Sequence, residues 1–253
     1  MPETALWMAG IVLLMYAVLC AALFVRQRSL IYYPQRAAAS EPNLLKLASP
    51  EGDVLVSEWP HEGPRALLYF GGNAEVVSGS LPTMANAFPD HSIYGMHYRG
   101  YAGSAGSPTE AALREDALAL YDRVVREHPD VIVVGRSLGS GVAVWLASQR
   151  RASRLILITP FNSLLELAAT QLRFLPIKWL LLDKFESWRY APMVATRTLI
   201  VEAERDEVIP NSSTQALMMH FRPDLVSLKV LRGVGHNTIS YHPDYVPALR
   251  SVR

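Results

Sequence analysis

The chain has 253 residues, half of them hydrophobic, and a formal net charge of +1 from 24 basic and 23 acidic side chains. That length and apolar content suit one large folded domain, and a near-neutral chain without a basic patch offers no footing for nucleic acid. One cysteine, Cys20, rules out a disulfide framework, and no ligand-spaced cluster calls for a metal or another cofactor.

The chain opens on an apolar run. Thr4 to Val25 carries no charge and is mostly Leu, Ala, Val, Ile and Met. About 20 such residues in a helix cross a ~30 Å hydrocarbon core. Trp7 and Tyr16 are compatible with a span, and Arg26 and Arg28 mark its end. The competing reading is a cleaved signal peptide. Against it, no Lys or Arg precedes the run, and the run is long for a signal core. Ala17-Val18-Leu19-Cys20 faintly resembles a lipoprotein site, but Leu19 is bulky where a small residue is usual. The expectation is an uncleaved single-pass membrane anchor over residues 1–28 that takes no part in chemistry. Its positive flank places the following domain in the cytoplasm. Asn211-Ser212-Ser213 is a glycosylation triplet of a kind common by chance.

Arg26 to Pro42 reads as a linker, with Tyr32-Tyr33-Pro34 at the membrane surface; the division is 29–43 for the linker and 44–253 for the folded domain. Leu44–Ala48 and Val54–Trp59 flank Pro50-Glu51-Gly52-Asp53 and form an expected antiparallel pair. Further strands are expected at Ala66–Phe70, Ser92–His97, Val131–Val134, Arg154–Ile158, Thr198–Glu202 and Val226–Leu231. Helical periodicity is clearest from Thr109 to His128, with Leu113, Ala117, Leu120, Tyr121, Val124 and Val125 on one face. Strands alternating with helices predict an α/β fold with a mostly parallel sheet covered on both sides.

Two stretches stay open in meaning. Phe161 to Ala191 is too long for a simple crossover and strongly apolar. It reads either as a small helical lid, with Phe161, Leu164 and Trp179 lining a pocket, or as a core-packed helix plus loop. Trp179 to Leu182 could also meet the bilayer. Arg99 to Pro108 either borders a site or is a glycine-rich turn.

The densest chemical signal is Val131-Ile-Val-Val-Gly135-Arg136-Ser137-Leu138-Gly139. A β-branched run ends in Gly-x-Ser-x-Gly and a helical pattern follows at once, the context of a nucleophile elbow. Small residues at 135 and 139 leave room around a strained serine turn. Ser137 Oγ would project above the sheet, and the Leu138 N–H at the helix start would face a developing oxyanion. The rival reading is a dinucleotide loop, since Gly139-Ser140-Gly141 also follows a strand. Val144 occupies the third glycine's place, and no acid closes the strand Arg154–Ile158 to hold a ribose.

A serine needs a base and an orienting acid. Asp206 follows the strand Thr198–Glu202, and Gly233-Val-Gly235-His236 follows the strand Val226–Leu231. Both therefore belong to the same sheet rim as Ser137, where open α/β sheets carry their sites. Glu202, Glu204 and Glu207 compete with Asp206, and either partner could be an ordinary loop residue.

Taken in order, six segments resemble a known family: Leu68-Tyr-Phe-Gly-Gly-Asn-Ala-Glu75, Tyr98-Arg-Gly-Tyr-Ala-Gly-Ser-Ala-Gly-Ser-Pro-Thr109, Gly135-Arg-Ser-Leu-Gly-Ser-Gly141, Thr159-Pro-Phe-Asn-Ser163, Glu202-Ala-Glu-Arg-Asp-Glu-Val-Ile-Pro210 and Gly235-His-Asn237. The chain resembles the α/β-hydrolase superfamily of serine hydrolases, and within it the membrane-anchored abhydrolase-domain branch, which includes protein depalmitoylases and uncharacterised bacterial members. The resemblance implies an α/β-hydrolase fold with a small helical cap over 161–191. It implies Ser137 as nucleophile, Asp206 as orienting acid and His236 as base. It also places the second oxyanion donor in Gly71-Gly72-Asn73, with the Asn73 N–H favoured and Gly72 beside it. Where the family usually has His-Gly, this chain has Gly71-Gly72.

The activity so implied is cleavage of an ester, thioester or related acyl bond through an acyl-enzyme, on a small-molecule or acylated substrate. A serine peptidase of the same fold, or a non-catalytic membrane binding module on a hydrolase scaffold, are the alternatives. Fold alone does not choose the substrate, and the oligomeric state is not legible.

Overall fold

The computed structural model describes residues 2–36 and 43–251. Eight strands form one sheet: β1 (Leu44–Ser49), β2 (Gly52–Trp59), β3 (Arg65–Phe70), β4 (Ser92–Met96), β5 (Asp130–Arg136), β6 (Arg154–Ile158), β7 (Thr198–Ala203) and β8 (Val226–Leu231). Their spatial order is β1-β2-β4-β3-β5-β6-β7-β8. Only β2 runs against its neighbours; β4, β3, β5, β6, β7 and β8 are mutually parallel. Each expected strand is present.

The continuous apolar runs are explained by burial on both faces. Along β3, Ala66, Leu68 and Phe70 belong to one hydrophobic cluster, while Leu67 and Tyr69 belong to the other. β5 divides in the same way, with Val131 and Val133 on one side and Ile132 and Val134 on the other. The first cluster is completed by α3 (Glu110–Val124) and α4 (Leu138–Gln149), the second by α2 (Leu81–Ala87) and α8 (Tyr245–Arg250). Thr109 caps α3, its side chain accepting from the Ala112 N–H.

Between β6 and β7 the chain leaves the sheet for α5 (Leu164–Gln171), α6 (Ile177–Leu180) and two short 3-10 turns. Ser163 caps α5 through the Glu166 N–H. The helix α7 (Asn211–Met218) joins β7 to β8.

The N-terminal helix α1 spans Pro2–Ile31 and is long and apolar enough to cross a membrane over Glu3–Ile31. It continues beyond the expected boundary at residue 28. The chain after it is not a free linker either: Tyr32 is buried in the main hydrophobic cluster, and the Ala102 N–H donates to the Gln35 carbonyl at 2.8 Å. The remainder of the expected linker, 37–42, lies outside the described residues. Polar residues from Arg26 to Ser29 look like solvent-facing linker in sequence. In the fold Gln27 is buried, and it and Arg28 are contact residues on the cap.

Candidate active site

Ser137 sits at the junction of β5 and α4 with φ 49° and ψ −117°. The turn closes only because its neighbours lack side chains. A methyl group on Gly139 would stand 2.0 Å from the Phe70 carbonyl oxygen, and one on Gly135 would stand 2.5 Å from the Gly139 carbonyl oxygen. The Ser137 N–H is held by the Ile158 carbonyl at 2.9 Å, which stitches the turn to β6.

The loop after β8 brings His236 to this serine. His236 Nε2 lies 2.9 Å from Ser137 Oγ. On its other side, His236 Nδ1 lies 2.8 Å from Asp206 Oδ2 and 3.1 Å from Oδ1. Asp206 is fixed in turn, because its Oδ1 accepts from the N–H groups of Val208 (2.9 Å) and Ile209 (2.7 Å). Both ring and carboxylate are shielded from water, with side chains 5% and 3% exposed. A carboxylate on Nδ1 fixes that nitrogen as the N–H, which leaves the Nε2 lone pair toward the serine hydroxyl.

The competing acids are engaged elsewhere. Glu202 accepts from the Asn211 side chain at 3.0 Å, Glu204 from the Gly233 N–H at 2.8 Å, and Glu207 from the backbone N–H of His236 at 3.0 Å. Burial raises the Glu202 carboxyl above its ordinary value, and the nearby Asp206 charge adds to the effect.

Around Ser137, the N–H groups of Leu138 and Asn73 donate to no other group among the described residues. Gly72 departs from the expected oxyanion set: its N–H is bound at 2.6 Å by Glu75 Oε2. The same carboxylate accepts from Arg136 (3.0 Å), Tyr69 (2.7 Å) and Ser80 (2.6 Å). Glu75 is thus the anchor of the loop between β3 and α2. Its sequence signal was limited to a place in a recognised segment, since its partners are remote in the chain.

Asn73 is held by its side chain. Nδ2 donates to the Ile31 carbonyl at 2.5 Å, and Oδ1 accepts from the Tyr101 hydroxyl at 2.7 Å and the Tyr33 N–H at 3.0 Å. Burial pushes the Tyr101 hydroxyl up to about 12, so it remains a donor at any working pH. This contact defines the role of the Arg99–Pro108 stretch. Its Arg99 is spent on a buried pair with Asp116 (2.8 and 2.9 Å) and on Glu51 (2.8 Å), while Tyr101 braces Asn73.

A cavity of about 530 Å³ opens beside Ser137 and Leu138, within the usual range of ligand sites. Phe161 and Leu164 line it. Trp179 does not; it is 82% exposed on the outside of the cap, because α6 is a single turn that directs Ile177 inward instead. Leu23, Gln27, Leu30 and Ile31 of α1 also line the cavity, a contribution absent from the sequence reading.

No family model matches the chain. It is 29% identical to the uncharacterised protein Rv2307c of Mycobacterium tuberculosis over 251 residues, covering 92% of this chain and 88% of that protein. It is 30% identical to the human alpha/beta hydrolase domain-containing protein 17B over 162 residues, 62% of this chain and 54% of that one. Among solved structures, the esterase Pf2001 of Pyrococcus furiosus superposes with a TM-score of 0.67 at 15% identity, over 85% of this chain and 92% of the esterase.

In sequence the chain is similar to members of the α/β-hydrolase superfamily, and it has their fold. In this fold the sheet order, the single reversed strand and the rim carrying Ser137, Asp206 and His236 are one architecture. Parallel strands all end on the same side, so residues far apart in the chain meet there.

Proposed function

We propose that this protein is a membrane-anchored serine hydrolase that cleaves an ester, thioester or related acyl bond. The observation that carries the reading is the unbroken hydrogen-bonded line from Asp206 through His236 to Ser137, ending beside an apolar cavity. His236 Nε2 takes the hydroxyl proton as Ser137 Oγ bonds to the substrate carbonyl carbon. The resulting oxyanion is held by the N–H groups of Leu138 and Asn73, donors that need no reorganisation. Collapse breaks the bond to the alcohol or thiol, which leaves with the proton from His236. Water, deprotonated by the same ring, then releases the acid and restores Ser137. Asp206 keeps the ring in the required tautomer throughout.

In this reading residues 44–253 are the catalytic domain, 161–191 its cap, and the apolar helix the anchor. The basic flank Arg26 and Arg28 supports a cytoplasmic domain. The test is labelling of the full-length protein by a fluorophosphonate. Wild type should be modified at Ser137, and Ser137→Ala should lose all labelling. Equal labelling of the variant would remove Ser137 as nucleophile.

A further inference from the structure

α1 changes character along its length. From Glu3 to Ala22 every position is exposed except the half-buried Cys20, as a helix surrounded by lipid would be. From Leu23 onward it acquires a protein-facing side. Leu23, Gln27, Leu30 and Ile31, at i, i+4, i+7 and i+8, share one helix face, and all of them line the cavity that holds Ser137.

This face is fixed to the domain. Gln27 donates to the Leu180 carbonyl at 3.1 Å and accepts from the Leu182 N–H at 2.7 Å. Arg28 pairs with the buried Asp183 at 3.2 Å. About three turns deeper in the apolar span, the Tyr16 hydroxyl donates to the Phe174 carbonyl at 2.9 Å. At the helix end, Ile31 and Tyr33 hold both sides of the Asn73 amide. The eight steps from Ile31 back to Leu23 cover about 12 Å at 1.5 Å each. The cavity therefore runs from the serine along α1 toward the apolar span.

We infer that the last two turns of α1 are a specificity-determining wall of the substrate site, against which an acyl chain lies as it extends from Ser137 toward Leu23. The inference rests on the acyl-hydrolase reading of the site. A passive tether would contribute no side chain to the cavity, whereas this helix supplies a whole face. The cap residues Phe174 and Trp179 are 79% and 82% exposed, and the Phe174 carbonyl accepts from Tyr16 within the apolar span, so in this reading the site's apolar end is next to the bilayer.

The test uses the full-length protein in detergent micelles and two alkyl fluorophosphonates, one ethyl and one hexadecyl, each reporting its rate of reaction with Ser137. Leu23→Trp and Leu30→Trp add bulk to the wall. Each should slow the hexadecyl probe by at least about tenfold, the order that misfit in an apolar pocket costs. The ethyl probe should change by less than about threefold, as for a change away from the reacting atoms. Val25→Trp, on the opposite side and 80% exposed, should alter neither rate. If both wall variants treat the two probes as wild type does, or slow both equally, α1 does not contact the chain. If wild type reacts with neither probe, the serine-hydrolase reading fails instead, and this inference with it.

Discussion

Asp206, in the loop after β7, stands near three other acids, Glu202 at the end of the strand and Glu204 and Glu207 in the loop, and their oxygens are committed differently. Asp206 alone faces His236 Nδ1, with two backbone N–H groups keeping it in place. Removing its charge while preserving its shape should leave the ring in the wrong tautomer. Asp206→Asn is expected to lower kcat by up to about 10⁴-fold, the scale seen for that change in serine proteases. Glu204→Gln should remain within a few-fold, because Glu204 serves only the Gly233 N–H. Steady-state kinetics on a soluble ester separates the two; a silent Asp206→Asn would mean another acid orients the ring. Glu202 has a different signature. It is 3% exposed, and burial followed by the Asp206 charge raises its carboxyl. A raised carboxyl favours its protonated form in the folded state, so stability falls as pH rises from the ordinary glutamate value through the folded one, and stays lower above it. Glu202→Gln should therefore raise the melting temperature at pH 7 to 8, with the gain shrinking as the pH falls to that ordinary value. An equal gain at every pH would show that packing, not charge, is responsible.

At the scale of elements, α1 combines two physical regimes in one unbroken helix. Its first part is almost wholly exposed apolar surface, with Tyr16 bonded to the Phe174 carbonyl, and its last turns make the specific hydrogen bonds of Gln27 and Arg28 to the cap. Helical periodicity could not reveal the change, because apolar residues encircle the helix and no stripe stands out. The proposed anchor is testable by itself. Full-length protein should stay with membranes through carbonate extraction, and Leu14→Arg, near the centre of the run, should cost about 2.5–3.5 kcal/mol of insertion and release a substantial fraction. Complete retention of that variant would place the holding contacts outside the apolar span. The cap shows a related limit. Its apolar residues were visible, but whether each faces the cavity or the outside depends on helices of only one or two turns. Such short elements give too few repeats to define a face, so Trp179 reads as pocket-lining in sequence and lies outside in the fold.

Over the whole molecule, the eight strands, the sheet class, the serine turn and the order in which the acid and histidine follow it were legible along the chain. These are local signals. Runs such as Val131–Val134 are apolar at every position because both faces of a parallel sheet are covered, and Gly135 and Gly139 are needed where backbones approach within contact distance. Tertiary structure alone decided which acid meets His236, that the Gly72 N–H is taken by Glu75, and that α1 forms part of the cavity. Each of those outcomes is a competition among groups for a hydrogen-bond partner or a shared surface. The Gln27 to Leu180 contact joins positions 153 residues apart, and Arg136 reaches the His236 carbonyl across 100. Such pairings impose no period or spacing on the chain, because they are set by the close packing of elements that only the folded sheet brings together.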